Sequence, residues 1–204
     1  MRDYSQYFRR RGNTSVGRLW ANQEAAQILE FALSLPLLVV FVVGIFDFSG
    51  ALSLKQKLTN AAREGARVAA ADPANDLSGA SSGVPASVID ALQVVDKYLL
   101  SENIYDCGLG SALPAQTSGT LTWVSTATTG CGSVPPNGIR LTINRGFVTQ
   151  QTIGTTTTDL VNTQVTIQYA YKWRFSSVIS VLVPRSTYAS TSYITTSATA
   201  FNEN

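Results

Sequence analysis

The sequence predicts an α+β protein on a membrane anchor. A long N-terminal transmembrane helix continues into an amphipathic helix and leads to a small extracytoplasmic domain with an antiparallel sheet and one packed helix. Three observations carry that prediction. Phe31 to Phe46 is sixteen residues without a formal charge, and a helical pattern continues past it to Ala71. Ala86 to Ser101 places Val88, Leu92, Val95 and Leu99 on one helical stripe. After Cys107, apolar and polar residues alternate in runs, which is the period of a half-buried strand.

Residues 1–24 form a basic leader. Arg2, Arg9, Arg10, Arg11 and Arg18 are five of the fifteen basic residues in the chain, and Asp3 is the only acid before Glu24. Residues 25–71 follow as the transmembrane and continuing amphipathic helix. Ala25 to Phe46 is 22 residues, and as a helix it spans about 33 Å, just over the ~30 Å hydrocarbon core of a bilayer. Arginines crowd the segment before this run, against Lys55 and Lys57 after it. The positive-inside rule therefore puts the leader in the cytoplasm and the chain after about Phe48 outside. Trp20, Phe46 and Phe48 stand where interfacial aromatics are expected.

Within the helix, Leu54, Leu58, Ala61, Gly65 and Val68 recur at spacings of four and three. A secretory signal peptide with Ser49-Gly50-Ala51 as its cleavage site is the competing reading, and this stripe argues against it by running through the cut. Pro36 removes the bond to the Ala32 carbonyl, so a kink is expected there. Gly44, Gly50 and Gly65 offer small surfaces for close contact with other helices. Glu30 is the one carboxylate within the apolar segment. Such a group costs on the order of 2–3 kcal/mol to insert and is usually functional. It either reaches back to the interface or meets a positive partner, such as the α-amino group that a cut before Ala26 would create.

The rest of the chain is bounded by what it lacks. A net charge of +2, concentrated in the leader, is no nucleic-acid signature. With no histidine, His-based metal sites and Ser-His or Cys-His nucleophile pairs are excluded, and two cysteines are too few for a thiolate zinc site. Cys107 and Cys131 are expected to form one disulfide, closing a 25-residue loop worth roughly 3 kcal/mol. Gly79 to Gly83 fits G-x-S-x-G but lacks the preceding strand and any activating histidine. Gly108-Leu109-Gly110 opens like a dinucleotide loop, but Leu113 stands where the third glycine belongs. Asn13-Thr14-Ser15 is a sequon on the wrong side of the membrane for glycosylation, and Asp72 with Asp76 reads as turn chemistry. No catalytic, cofactor-binding or metal-ligating residue is expected, and no enzymatic activity.

Residues 72–85 read as a Gly/Ser/Asp/Pro linker, and residues 86–204 as the extracytoplasmic domain. Its expected strands are Thr120 to Thr126, Gly138 to Asn144, Val161 to Phe175 and Tyr188 to Phe201. Tyr169, Tyr171 and Trp173 are expected on a core-facing side, with Val178 to Val183 as a buried helical turn or an apolar loop.

Several segments carry a family resemblance: Glu30-Phe31-Ala32-Leu33, Leu35-Pro36, Gly44 to Phe48, and Asn60 to Arg67. Together with Ile194 to Phe201 at the chain end, they resemble the TadE-like family of pilin-like minor subunits in tight-adherence (Tad, or Flp) type IV pilus systems. The resemblance implies a precursor cut by a prepilin peptidase at the membrane face. Ala25 and Ala26 would flank that cut, and Glu30, followed by Phe31, would be the fifth mature residue, used in processing and subunit registration. Ala25 stands where the family usually has glycine. Implied partners are the membrane, other pilin-like subunits and the pilus assembly machinery. The implied role is assembly of a pilus that supports adhesion and biofilm formation. The alternative is a membrane-tethered envelope adaptor that keeps its leader and enters no filament. Either would reside in the bacterial inner membrane with the C-terminal domain outside, and the pilin would also reach the cell surface.

Overall fold

The computed structural model describes residues 23–79, 83–118, 120–131, 138–177 and 192–202. The leader through residue 22, with Trp20 and the sequon, lies outside the described residues. So do Ser81 of the G-x-S-x-G sequence, the apolar run Val178 to Val183, and the start of the last expected strand at Tyr188. The chain divides into two compact units, one ending at Gly44 and the other running from Ile45.

Gln23–Ala71 is one helix, α1, with Pro36 inside it. In the first unit the Ser34 hydroxyl donates to the Phe31 carbonyl at 3.1 Å, one turn from the proline. In the second unit Ala74–Gly79 is a 3-10 helix within the linker-like stretch, and Ala86–Ser101 forms helix α2. A short 3-10 turn, Leu109–Ser111, precedes five strands among the described residues: β1 Ala115–Gln116, β2 Thr122–Ala127, β3 Ile139–Ile153, β4 Thr156–Tyr171 and β5 Ser192–Phe201. They form an antiparallel sheet in sequential order.

The register lines up the core in rows. Trp123, Ile143, Val165 and Ala198 lie opposite one another across β2 to β5. Ser125, Leu141, Ile167 and Thr196 form the next row, and Ala127, Ile139, Tyr169 and Ile194 the third. These residues share one face of the sheet because side chains alternate along each strand. The buried face of α2 (Val88, Ala91, Leu92, Val95, Leu99) and Leu58, Ala61, Ala62, Ala66 and Ala69 of α1 complete the same core. Each fully buried Leu, Ile or Val contributes roughly 1.5–3 kcal/mol relative to exposure. The small residues on α1 let its backbone lie close: a Cβ built at Gly65 would sit 2.7 Å from Val95 Cγ2 and 3.7 Å from Val165 Cγ1.

Three expectations differ from the observed strands. β3 runs past Asn144 to Ile153, and β4 begins at Thr156 instead of Val161. Their outer arms pair from Phe147↔Asn162 to Ile153↔Thr156 around Gly154, whose φ of +67° suits the turn. These arms are mostly exposed, so they lack the alternation that marks a half-buried strand, and the backbone ladder with its β-branched threonines sustains them instead. At the other end β4 stops at Tyr171 and not Phe175, because the following backbone N–H groups bond to a carboxylate on α1.

Candidate functional site

In the first unit, every residue from Ala26 to Leu38 is exposed. Phe31 and Phe41 keep 66% and 65% of their surface, and the most apolar 18-residue window of the helix has a mean hydropathy of 2.5 with none of it buried. An apolar surface of this extent needs lipid or an apolar partner around it. Glu30 is exposed on this segment beside Phe31.

In the second unit, Ile45, Phe46 and Phe48 continue the exposed apolar surface, but Asp47 between them is fully buried. Its carboxylate accepts the backbone N–H of Arg174 at 3.1 Å and of Phe175 at 3.2 Å. The Tyr171 hydroxyl reaches the Asp47 carbonyl at 3.5 Å. The Trp173 ring lies 5.8 Å from Phe48 and meets Tyr171 edge-on at 5.2 Å, and its Nε1–H donates to Ser192 Oγ at 3.0 Å. Burial, then the nearby Asp47 charge, pushes the Tyr171 phenol up, with Arg174 opposing. Asp47 thus fastens the chain leaving β4 to the helix where the apolar run ends. Beside it is an open cleft of about 290 Å³ lined by Lys57, Glu102, Tyr169, Tyr171 and Arg174. Lys57 is committed there to Glu102, 3.1 Å away.

Residues 25–67 match the family model described as TadE-like protein. The similarity covers the transmembrane-length part of α1 and most of its continuation. No curated protein and no solved structure matches the chain. The TadE-like segment holds the exposed apolar residues, Asp47, and most of the packing stripe that joins α1 to the domain. That segment also includes the stretch of α1 that is long and apolar enough to cross a membrane.

The residues singled out from sequence fall in different places. Ala25, Ala26, Glu30, Phe31 and Pro36 are all on the first unit's stretch of α1, inside the TadE-like segment. Cys107 and Cys131 are disulfide-bonded, with Cα atoms 5.2 Å apart. The bond ties the loop after α2 to the turn beyond β2. Gly50 and Gly65 serve contacts within the chain: Gly50 leaves room for the Tyr171 hydroxyl, 3.2 Å from where a Cβ would stand, and Gly65 for Val95. Nothing lies within 4 Å of a Cβ at Gly44. Tyr171 is buried, and Tyr169 and Trp173 are half-buried.

Two structural centres were not singled out from sequence. Asp47 falls in the family-like run Gly44 to Phe48, and a carboxylate at the end of an apolar stretch is itself a signal. Arg145 sits fully buried at the irregularity between Asn144 and Phe147. Its Nη2 donates to the Asp72 carbonyl at 3.1 Å, its Nη1 to Thr163 Oγ1 at 3.4 Å, and Asp76 Oδ1 lies 3.8 Å away. Burial lowers the Arg145 pKa, with Asp76 and Asp72 opposing. Asp76 Oδ2 also accepts the Ser87 N–H at 3.0 Å. The stretch 72–85 is therefore bonded to both β3 and the start of α2, and Asp72 and Asp76 take part in chain fastening.

Proposed function

We propose that this chain is a minor pilin or pseudopilin-like structural subunit that takes part in assembling a tight-adherence type IV pilus, and so supports surface adhesion. The observation that carries the reading is the two-part α1 helix of the TadE-like segment. One stretch packs into the domain while the other leaves its apolar side chains uncovered. A helix of that kind suits transfer from lipid to a bundle of similar helices, where apolar contact changes little and shape and charge decide the fit. The leader lies in the cytoplasm and the domain outside, in this reading, and a prepilin peptidase cuts between Ala25 and Ala26. Glu30 then pairs with a positive group, its own new α-amino terminus or that of a neighbouring subunit. The work of extraction belongs to an assembly machine, and this chain acts as a component and not as an enzyme.

Substituting Glu30→Ala tests the reading. Membrane insertion is expected to stay near normal, because removing a carboxylate from an apolar segment favours insertion by about 2–3 kcal/mol. The amount of the chain in sheared surface material is expected to fall sharply. Unchanged surface incorporation with Glu30→Ala would remove the proposed role of the carboxylate. An intact leader and membrane residence alone would favour the tethered adaptor.

A further inference from the structure

The segment Lys172–Phe175 has a composition and a location that the helix anchor does not explain. It alternates two cations, Lys172 and Arg174, with two aromatic rings, Trp173 and Phe175. Both cations are exposed. Its place beside Asp47 and Phe48, at the end of the apolar run, is fixed within the second unit itself. Asp47 holds the Arg174 and Phe175 N–H groups at 3.1 and 3.2 Å, and the Trp173 ring lies 5.8 Å from that of Phe48. Phe46 and Phe48 are exposed at 66% and 58% and close the apolar run. Wherever the Phe48 ring lies in a bilayer, the Trp173 ring lies beside it.

We propose that Lys172–Phe175 is a second membrane contact of this chain, placing its cations among lipid phosphates and its aromatic rings at the headgroup boundary beside Phe48. Tryptophan and phenylalanine flanked by Lys and Arg are suited to that zone, where one end of the segment is apolar and the other meets anionic headgroups. The buried Asp47 is what makes the contact part of the fold, because it bonds to the segment's backbone and leaves the cationic side chains outside. Arg174 also lines the neighbouring cleft, whose other cation, Lys57, is occupied by Glu102. The phosphate-facing charge therefore comes from Lys172 and Arg174. The contact depends on the membrane anchor alone and holds whether or not the chain enters a fibre.

The test uses the full chain reconstituted in vesicles, and takes the Trp173 signal as the difference between wild type and Trp173→Phe. Lipids brominated near the glycerol should quench most of that signal, and soluble acrylamide should reach little of it. Vesicles containing phosphatidylglycerol should shift its emission to the blue relative to phosphatidylcholine alone. The double variant Lys172→Gln/Arg174→Gln, at exposed positions, should lose that lipid difference with an unchanged unfolding midpoint. Inorganic phosphate added to the chain in neutral detergent should leave the emission where it is. Quenching by acrylamide and not by brominated lipid would overturn the proposal. An equal response to inorganic phosphate would also overturn it, by making the site one for soluble anions. Persistence of the lipid difference in the double variant would overturn the assignment of the cations. If Trp173→Phe fails to fold, the total tryptophan emission of wild type and double variant in the two lipids decides, since Trp20 and Trp123 are common to both.

Discussion

At Gly65 an added Cβ would lie 2.7 Å from Cγ2 of the buried Val95, with the Ala91 carbonyl at 3.6 Å behind it. Gly65→Ala is therefore expected to destabilise the domain by about 1–3 kcal/mol, the range for overpacking a closed core. Gly65→Ala with Val95→Ala should be less disturbed than the sum of the two singles, because the added methyl occupies the space the valine vacates. Thermal unfolding in detergent, with Gly44→Ala as an unaffected control, checks this. Asp96 gives a pH-dependent test. Burial, then hydrogen bonding to and repulsion from Asp106, pushes its carboxyl up from 3.8, while the Gly110 N–H and Lys97 oppose. A carboxyl whose folded value exceeds its unfolded value binds protons more readily in the native state. Its ionisation therefore costs stability above the folded value, and the cost disappears as pH falls through that value toward 3.8. Asp96→Asn should raise the unfolding midpoint at pH 7, and the gain should shrink as the buffer is taken to about pH 3, below the ordinary carboxylate range. A gain that is constant with pH would assign the effect to packing.

Among the elements, β3 carries the greatest structural dependence on one side chain. Arg145 joins it to the end of α1 through the Asp72 carbonyl, to the 3-10 turn through Asp76 and to β4 through Thr163, while the Asn202 amide donates to the Arg145 carbonyl at 3.4 Å. Arg145→Met keeps the bulk and removes the charge and its donors. Breaking a buried pair from one side leaves the other side uncompensated, and a loss of about 3 kcal/mol in chemical unfolding is expected. A change under about 1 kcal/mol, the scale of an exposed pair, would mean that these contacts are dispensable.

The same elements mark how far the sequence could be read. α2 was legible to the residue, because the stripe Val88, Leu92, Val95 and Leu99 is the face that the sheet and α1 bury. The central parts of β2, β3 and β4 were legible from alternation for the same reason. The hairpin arms were not, since residues such as Gln150, Thr152, Thr157 and Asp159 are exposed and their pairing leaves no burial signal. Arg145 within a strand looks like a surface charge, and only the return of Asp72 and Asp76 from 73 and 69 residues away in the chain makes it a buried tie. Asp47 is the like case at the other end of α1, with its backbone partners 127 and 128 residues downstream. Gly50 and Gly65 were visible as small residues, but that they face Tyr171 and Val95 of their own chain follows from packing alone.

For the molecule as a whole, the TadE-like segment unites two kinds of helix surface within residues 25–67. The stretch from about Leu58 is committed to the domain, and the stretch from Ala26 to Phe46 presents apolar side chains to its surroundings. On the proposed reading, this division lets a membrane protein become a fibre component without refolding its domain, and the bond between Ala25 and Ala26 controls the passage. Mass spectrometry of the chain's N-terminus, on membrane and sheared-surface fractions of the same cells, tests that directly. The account predicts chains beginning at Ala26 in the surface fraction, with the uncut Met1 form confined to membranes. Recovery of the uncut form alone, and from membranes alone, would contradict it.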